Sequence, residues 1–260
     1  MPISELWRAR RLAALAGFAL TLSGVAQAQP PCVIGTEAAC AEIRNRPIRD
    51  AATRPWSAIG RVNRAGHNSK SHCTGTLIAP AQVLTAAHCL YSRSQRSWIP
   101  APELTFAAGY QRGTALTHAS VASYSLPRPV DSLWDLTPPE DWAILTLDAP
   151  IGTPAGYLPV GALEDESGPE QLILAGYAGL RPHVLSTGPC TRPDGVASSG
   201  IALLDCPAMR GDSGAPILDL RQDPPVVVGI LSGTTTRYSV IIPAQRVTAQ
   251  ARSILGPSRN

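Results

Sequence analysis

Short apolar or alternating runs, each bounded by turn residues, recur along the chain from residue 57 to residue 242. Such runs indicate β-strands, because side chains on a strand alternate between two faces. They fall into two groups, and the pattern therefore predicts an all-β fold. The first group is Ser57–Val62, Thr76–Ile78, Val83–Thr85, Leu104–Ala108, Val121–Ser125 and Ala143–Leu147, and the second is Leu172–Tyr177, Val184–Thr187, Ile201–Asp205, Ala215–Asp219, Val226–Ser232 and Tyr238–Ile242.

Two further segments complete this outline. The stretch from Pro150 to Pro169 is rich in Gly and Pro and carries the acidic cluster Glu164–Glu166, which is typical of a linker. The tail from Pro243 to Leu255 begins with a proline suited to the first position of a helix, and its apolar residues recur near helical spacing. We therefore expect the two groups of strands to be followed by a short C-terminal helix.

The first 28 residues have the pattern of an export signal. Arg8, Arg10 and Arg11 precede an apolar run from Leu12 to Val25, and Ala26–Ala28 supplies a small-x-small cleavage site. The run is shorter than the roughly 20 residues of a membrane span, although an uncleaved signal anchor is the alternative. We therefore expect a secreted or periplasmic protein that is monomeric and does not bind membranes.

Export also changes how the charge is interpreted. The whole chain carries a formal charge of +3, and removal of the signal, which carries +2, leaves about +1. A nearly neutral chain without a basic stripe does not favour nucleic acid as a partner. The remaining residues, about 230, are enough for a large buried core.

Candidate chemistry begins with Ser213, which lies between two glycines in the segment Gly211–Pro216. A glycine two residues before a serine lets the backbone approach a substrate carbonyl closely, so that the N–H groups of Gly211 and Ser213 can bind a developing oxyanion. Ser213 is therefore a candidate nucleophile. The alternative is a polar turn before an apolar strand, since all these residues favour turns.

A serine nucleophile needs a base, and the base needs a carboxylate that holds it in one tautomer. His88 follows the apolar pair Val83–Leu84 within Thr85–Cys89, and Asp141 stands at the head of an apolar run. The order His88, Asp141, Ser213 differs from the serine, acid, histidine order of α/β-hydrolases. Their nucleophile elbow also needs glycine where this chain has Ala215.

Three motifs together resemble the trypsin-like, chymotrypsin-fold serine endopeptidases. They are Thr-Ala-Ala-His-Cys at 85–89, Asp-Trp-Ala-Ile-Leu at 141–145 and Gly-Asp-Ser-Gly-Ala-Pro at 211–216, at sequence separations of 53 from His88 to Asp141 and 72 from Asp141 to Ser213. The similarity extends from about Arg54 to the C-terminus. Asn45–Asp50, ahead of Pro55–Ile59, is closer to the bacterial glutamyl-endopeptidase-like branch.

The resemblance implies two packed antiparallel β-barrels with the active site in the cleft between them. With residues 1–28 as the signal peptide, the predicted domains are 29–42 as a possible propeptide, 43–155 as the N-terminal barrel, and 156–260 as the C-terminal barrel with the terminal helix. The implied function is a secreted serine endopeptidase that acts on protein or peptide substrates through an acyl-enzyme, without a cofactor. The alternative is a catalytically inactive trypsin-like binding module.

Six cysteines, an even number in an exported chain, favour disulfides over metal ligands. The resemblance implies a bond between Cys73 and Cys89. Position suggests Cys190 with Cys206 and Cys32 with Cys40, although the pairing of these four stays open. A zinc site that uses His67, His72 and Cys73 is a weaker alternative, because their spacing matches no closed site.

Substrate preference is interpreted from the segments that line the specificity pocket in the resembled family. Pro207 stands where animal trypsins have an aspartate, and Leu231 stands where the glutamyl branch has a histidine. Neither basic nor acidic selectivity is therefore supported. The predicted wall favours an uncharged side chain, and Arg210 at the entrance attracts acidic residues nearby. The wall comprises Pro207, Ala208, Leu231, Ser232, Gly233 and Thr234.

Asp212, next to the proposed nucleophile, needs a partner if it is buried. In the resembled family that partner is the ammonium group of a newly cut N-terminus, which predicts a zymogen with Ile43 as a candidate mature start. The alternative is that loop backbone or an arginine such as Arg210 satisfies the carboxylate and that no processing beyond signal removal is needed.

Overall fold

Strands dominate the computed structural model, which describes residues 37–64, 72–163, 171–193 and 200–248. They are β1 (Ile59–Arg64), β2 (His72–Ala79), β3 (Gln82–Thr85), β4 (Tyr91–Ser92), β5 (Ser97–Trp98), β6 (Leu104–Ala108), β7 (Thr117–Ser125), β8 (Ala143–Leu147), β9 (Leu172–Gly176), β10 (Ser186–Pro189), β11 (Ala202–Leu204), β12 (Pro216–Asp219), β13 (Val226–Thr234) and β14 (Ser239–Pro243). Each of the predicted runs corresponds to one of these strands.

Helical segments are short. The α-helices are α1 (Glu37–Asn45) and α2 (Gly152–Ala155), and residues 244–248 are helical where the described chain ends. Single turns of 3₁₀ helix cover Trp56–Ala58, Ala87–Leu90, Ala101–Glu103, Leu133–Asp135 and Pro138–Glu140. In the described part of the chain, no helix is long and apolar enough to cross a membrane.

The first group of strands closes into an antiparallel barrel in the order β1-β2-β3-β8-β7-β6. Its interior is apolar, with Leu77, Leu84, Phe106 and Leu145 fully buried. Gly60 is required on β1, because a Cβ atom there would lie 2.2 Å from the carbonyl oxygen of Ala107 on β6. Burial alternates along β7, whereas β2, β3 and β8 are buried at consecutive positions and so pack on both faces.

The second group forms a six-stranded antiparallel sheet in the order β10-β9-β12-β13-β14-β11. Its two edge strands are joined just beyond their ends, because Thr191 and Asp205 exchange backbone hydrogen bonds of 3.0 and 2.8 Å. The disulfide between Cys190 and Cys206 lies beside this bridge. The sheet therefore curves on itself into a half-barrel, and the bridge and the disulfide hold its two edges together at one end.

A buried apolar cluster joins the two groups of strands. It contains side chains from both, including Leu77 of the first and Ile230 of the second, while a second cluster lies within the second sheet. Tyr177 crosses the boundary, since its hydroxyl donates to the carbonyl of Tyr110 at 2.8 Å and the two rings meet edge to face. Its burial raises the pKa of the Tyr177 hydroxyl, which stays protonated. The two-barrel fold with a C-terminal helix is confirmed.

Helix α1 was not predicted from the sequence. It overlaps the possible propeptide 29–42 and buries Cys40 and Ile43 against the rest of the protein. Cys40 is disulfide-bonded, whereas its predicted partner Cys32 lies outside the described residues. The signal peptide also lies outside them, and the boundaries given for the propeptide and the barrels stay predictions.

The first barrel should depend on side chains that fill its interior. Leu77→Ala removes a fully buried side chain and leaves a cavity, so we expect the free energy of unfolding to fall by about 2–5 kcal/mol. Urea unfolding followed by tryptophan fluorescence measures the loss. The matched control is Leu220→Ala, because Leu220 is 40% exposed and should cost far less. Equal losses for the two variants would contradict this core.

Candidate active site

His88 is held at the mouth of the first barrel. It lies in the 3₁₀ turn Ala87–Leu90, which directly follows β3. The neighbouring Cys89 forms a disulfide with Cys73 on β2, with the Cα atoms 6.1 Å apart. The turn is therefore tied to two strands, which restricts movement of the His88 ring.

Asp141 fixes the orientation of that ring. Its carboxylate accepts the backbone N–H of His88 at 2.8 Å and contacts His88 Nδ1 at 2.7 Å. The hydroxyl of Ser232, on β13 of the second barrel, donates to the same carboxylate at 2.5 Å. With Nδ1 donating its proton to Asp141, Nε2 is left as the basic nitrogen.

Ser213 lies in the loop between β11 and β12, flanked by glycines in the left-handed region. The φ angles of Gly211 and Gly214 are +98° and +78°. A Cβ atom at Gly214 would lie 2.3 Å from the carbonyl oxygen of Thr74, and one at Gly211 would lie 2.5 Å from that of Tyr177. Gly214 is therefore needed for the loop to pack against β2, and Gly211 for it to pack against the segment that follows β9.

One cleft of about 820 Å³ is lined by His88, Gly211 and Ser213 together with residues of both barrels. Among the described residues there is no hydrogen bond between the Ser213 hydroxyl and His88. In substrate-free enzymes such contacts are often long and tighten when substrate binds. The structure thus brings the predicted nucleophile and base to the same cleft, while the direct contact is the His88–Asp141 pair.

Hydrogen bonds fix the orientation of the backbone carbonyls in the serine loop. The carbonyl of Arg210 accepts from Gly179 N–H at 2.7 Å, and Thr74 binds the carbonyls of Gly211 and Ser213 through its hydroxyl and its N–H. Since C=O and N–H point in opposite directions across a trans peptide, Gly211 N–H faces away from Gly179. In the described part of the chain, neither Gly211 N–H nor Ser213 N–H donates to a backbone carbonyl.

Asp212 is fully buried, and its partner is an arginine that the sequence analysis missed. Arg46 Nη1 lies 2.8 Å from Asp212 Oδ2, and Nη2 lies 3.2 Å from Oδ1. Neither Arg210 nor Ile43 fills this position. Arg210 is exposed, and Ile43 is buried within α1. The sequence did offer one indication, because Arg46 lies in the segment 45–50, which resembles the glutamyl-endopeptidase-like branch. That segment served only to assign the branch.

The predicted specificity wall divides into two sets. Leu231, Gly233 and Thr234 line the cleft, as does Arg210 at its rim. Pro207, Ala208 and Ser232 are not among the described residues that line it. Ser232 directs its hydroxyl at Asp141, and the carbonyl of Pro207 accepts from Arg46 at 3.3 Å. The Ser232 side chain and the Pro207 backbone thus contribute to the framework of the site.

His72 is also in the cleft but is engaged by the protein. Its Nε2 lies 2.7 Å from the carbonyl oxygen of Tyr177, and burial lowers the pKa of the ring. Cys73, His88 and Cys89 cluster closely, but the two sulfurs are joined in the disulfide and do not offer thiolates to a metal. His67, the remaining residue of the alternative zinc site, lies outside the described residues.

The loop that delivers Asp141 is braced by its neighbour. Glu140 accepts from Arg128 Nε at 2.8 Å and from the backbone N–H of Thr137 at 2.8 Å. These hydrogen bonds, the one from Arg128 above all, lower the pKa of Glu140 to about 2. Prolines at 138 and 139 hold the turn that these contacts close.

Comparison with known proteins relates the chain to one family and one fold. The family model for trypsin matches residues 44–251. A glutamyl endopeptidase of Bacillus licheniformis is 29% identical over 135 residues, 51% of this chain and 39% of that protein's length. A solved Glu endopeptidase in complex with MPD matches with a TM-score of 0.65 and 23% identity, covering 80% of this chain and 95% of that one. A thermostable serine protease from an extremophilic microorganism matches with a TM-score of 0.59 and 17% identity, covering 76% and 96%.

Two β-barrels with a histidine and a serine loop facing one cleft define a chymotrypsin-fold protein. The family match covers most of the sequence, and the chain belongs to the trypsin family. The predicted resemblance to this family and to its bacterial glutamyl-endopeptidase-like branch is confirmed. The chain spans 39% of the length of the curated relative, so that protein's activity is not carried over as a finding.

The Glu140 contacts predict a pH-dependent contribution to stability. Because the folded pKa lies below the unfolded value of 4.5, the stabilisation is present above that value and is lost as the pH falls toward about 2. Glu140→Gln should lower the free energy of unfolding at pH 6 by roughly 0.3–1 kcal/mol, since the pair is partly exposed. Urea unfolding at pH 6, 4 and 3 should show the difference from wild type shrinking, whereas the exposed control Glu42→Gln should show none.

Proposed function

We propose that this protein is a secreted serine endopeptidase with Ser213 as nucleophile, His88 as general base and then acid, and Asp141 as the residue that orients His88. The observation that carries the proposal is the double contact of Asp141 with the ring and the backbone of His88, beside the cleft that Ser213 lines. Membership of the trypsin family supports the same reaction class.

The chemistry follows from these positions. Ser213 Oγ attacks the carbonyl carbon of the scissile peptide bond while His88 Nε2 takes its proton, which converts the carbonyl oxygen into an oxyanion. His88 then gives the proton to the leaving amine, and an ester to Ser213 remains. A water molecule, deprotonated by His88, hydrolyses that ester, and the proton returns to Ser213. Asp141 stabilises the imidazolium in both halves of the cycle.

The oxyanion would be bound by the N–H groups of Gly211 and Ser213. Support comes from the bonds that direct the Arg210 carbonyl to Gly179 N–H and the Asp212 carbonyl to Ala215 N–H, because each turns the N–H of the following residue the opposite way. Neither N–H donates to a backbone carbonyl among the described residues. Donors fixed before substrate arrives need no reorganisation during the reaction, and loss of one typically costs a factor of about 10²–10³ in kcat.

Substrates are proposed to be proteins or peptides with an uncharged side chain before the scissile bond. Leu231, Gly233 and Thr234 give an apolar to weakly polar wall on one side of Ser213. Arg64, Arg93 and Arg210 line the same cleft, although Glu103 neutralises Arg64. Acidic residues elsewhere in the substrate are therefore favoured, while acidic selectivity at the cut itself is not proposed.

Export is part of the proposal. Disulfides at Cys73–Cys89 and Cys190–Cys206 are typical of proteins that leave a reducing cytoplasm. The predicted signal at 1–28 lies outside the described residues and stays a prediction. An inactive trypsin-like binding module is the alternative function, and covalent labelling separates it from the enzyme.

A fluorophosphonate probe tests the nucleophile. The purified protein should react in a 1:1 ratio, with the label on the peptide that contains Ser213, and should hydrolyse casein. Ser213→Ala should abolish labelling, and each of Ser213→Ala and His88→Ala should reduce kcat by roughly 10⁴–10⁶-fold. Ser123→Ala, on an exposed position of β7, serves as the matched control and should behave as wild type. A folded wild-type protein that is not labelled would favour the binding module.

A peptide library tests the proposed specificity. Uncharged side chains should dominate the position before the cut, and acidic residues should be enriched on its flanks. Arg210→Gln should weaken the flanking preference without changing the residue before the cut, because only the rim charge is removed. Arg112→Gln, away from the cleft, should leave both preferences intact. Cleavage dominated by Lys, Arg or Glu before the cut would contradict the assignment.

A further inference from the structure

Arg46 and Asp212 form a fully enclosed ion pair next to the proposed nucleophile. Their side chains are 1% and 0% exposed, and two guanidinium nitrogens meet the two carboxylate oxygens at 2.8 and 3.2 Å. The same guanidinium donates to the carbonyls of Ser186 at 2.7 Å, Pro207 at 3.3 Å and Gly176 at 3.4 Å. Such a parallel, bidentate arrangement is specific to arginine.

The pair continues directly into the serine loop. Asp212 Oδ2 also accepts the backbone N–H of Met209 at 3.1 Å, and Asp212 N–H donates to the carbonyl of Met209 at 3.0 Å. Arg210 and Gly211 lie inside the turn that these two bonds close. The direction of Gly211 N–H therefore depends on the position of Asp212, and Asp212 is held in a buried site only while a cation faces it.

The segment that carries Arg46 is anchored to the second barrel on both sides. Arg181 donates to the carbonyls of Arg44 and Arg46, the latter at 2.6 Å. Beyond the arginine, residues 47–49 run beside β10, because Thr187 N–H donates to Pro47 and Arg49 N–H donates to Leu185, both at 3.0 Å. The guanidinium is thus fixed by the chain around it and does not depend on a free chain end.

The space around Asp212 is filled. A Cβ atom at Gly176 would lie 2.4 Å from Asp212 Oδ1, so the strand β9 already packs against the carboxylate. Ile43 lies within α1, 2% exposed, and its carbonyl accepts the N–H of Arg46 at 3.4 Å. Its nitrogen belongs to a helix, and the carboxylate that it was expected to meet is occupied by Arg46.

We propose that Arg46 is a positioning residue that replaces a cleaved N-terminal ammonium: its guanidinium holds Asp212, and so the oxyanion-binding loop, in the active arrangement within the unprocessed chain. This inference rests on the proposed serine endopeptidase function. It implies that catalysis needs no new N-terminus and that removal of residues 29–42 does not switch the enzyme on. The cation that cleavage before Ile43 would supply is instead present in the chain from the start, as the Arg46 guanidinium.

Substitution of Arg46 tests the positioning role. Arg46→Gln should lower kcat on a peptide ester by roughly 10²-fold, the cost of losing one oxyanion donor, while KM changes by less than about threefold. Arg46→Lys should have a kcat between those of Arg46→Gln and wild type, because lysine restores the positive charge but cannot form the bidentate contact with Asp212. The matched control Arg49→Gln removes a nearby arginine that bonds Thr187 rather than Asp212, and it should retain wild-type kcat.

The double variant Arg46→Gln/Asp212→Asn covers the case in which Arg46→Gln does not fold. It removes both charges, so it leaves no unpaired ion in the core, and its kcat should equal that of Asp212→Asn alone because the pair acts as one unit. Multiplicative losses in the double variant would overturn the coupling, as would a kcat of Arg46→Gln within twofold of wild type.

The second measurement uses the wild-type chain. The active secreted form is sequenced from its N-terminus, and a version with one alanine added before that residue is assayed. We expect Arg46 to be present in the active form and kcat to be unchanged by the extension. Loss of activity on extension, or an active form that begins after residue 46, would overturn the proposal. If the wild type itself is not labelled at Ser213 by a fluorophosphonate, the proposed function fails instead, whatever the Arg46 variants show.

Discussion

A buried carboxylate beside the nucleophile is the constraint on which the rest of the site depends. Asp212 has no access to water, and a lone ionised carboxylate in such a place is strongly unfavourable. Arg46 compensates this charge with two hydrogen bonds to the carboxylate. The same guanidinium also donates to three backbone carbonyls of the second barrel. The serine loop, β9, β10 and the N-terminal segment are therefore joined around one charge pair.

A second set of contacts ties the loop to the first barrel. The hydroxyl of Thr74, on β2, donates to the carbonyl of Gly211 at 2.9 Å and accepts the N–H of Tyr177 at 3.1 Å. The backbone N–H of Thr74 donates to the carbonyl of Ser213. Ser232 of the second barrel likewise reaches Asp141 beside the first. A residue of each barrel thus fixes a catalytic segment of the other: Thr74 fixes the serine loop, and Ser232 fixes Asp141. The geometry of the site therefore requires that the two barrels pack together.

Much of this arrangement could be predicted from the sequence. Strand positions follow from the short apolar runs. His88, Asp141 and Ser213 stand in local motifs, and the order of these motifs indicates the family. Arg46 could not be predicted in this way, because its partner is 166 residues away and only the fold brings them together. Helix α1 was missed for a related reason: its buried face is limited to Cys40 and Ile43, so its pattern is weak until the surface that covers it is known.

Pre-steady-state kinetics with an activated nitrophenyl ester test the central claim most directly. The account predicts a burst of one equivalent of nitrophenol per protein, followed by slower turnover, with the trapped acyl group located on Ser213 by mass spectrometry after acid quench. A linear time course without a burst and without a trapped acyl group, or an acyl group on another residue, would contradict it.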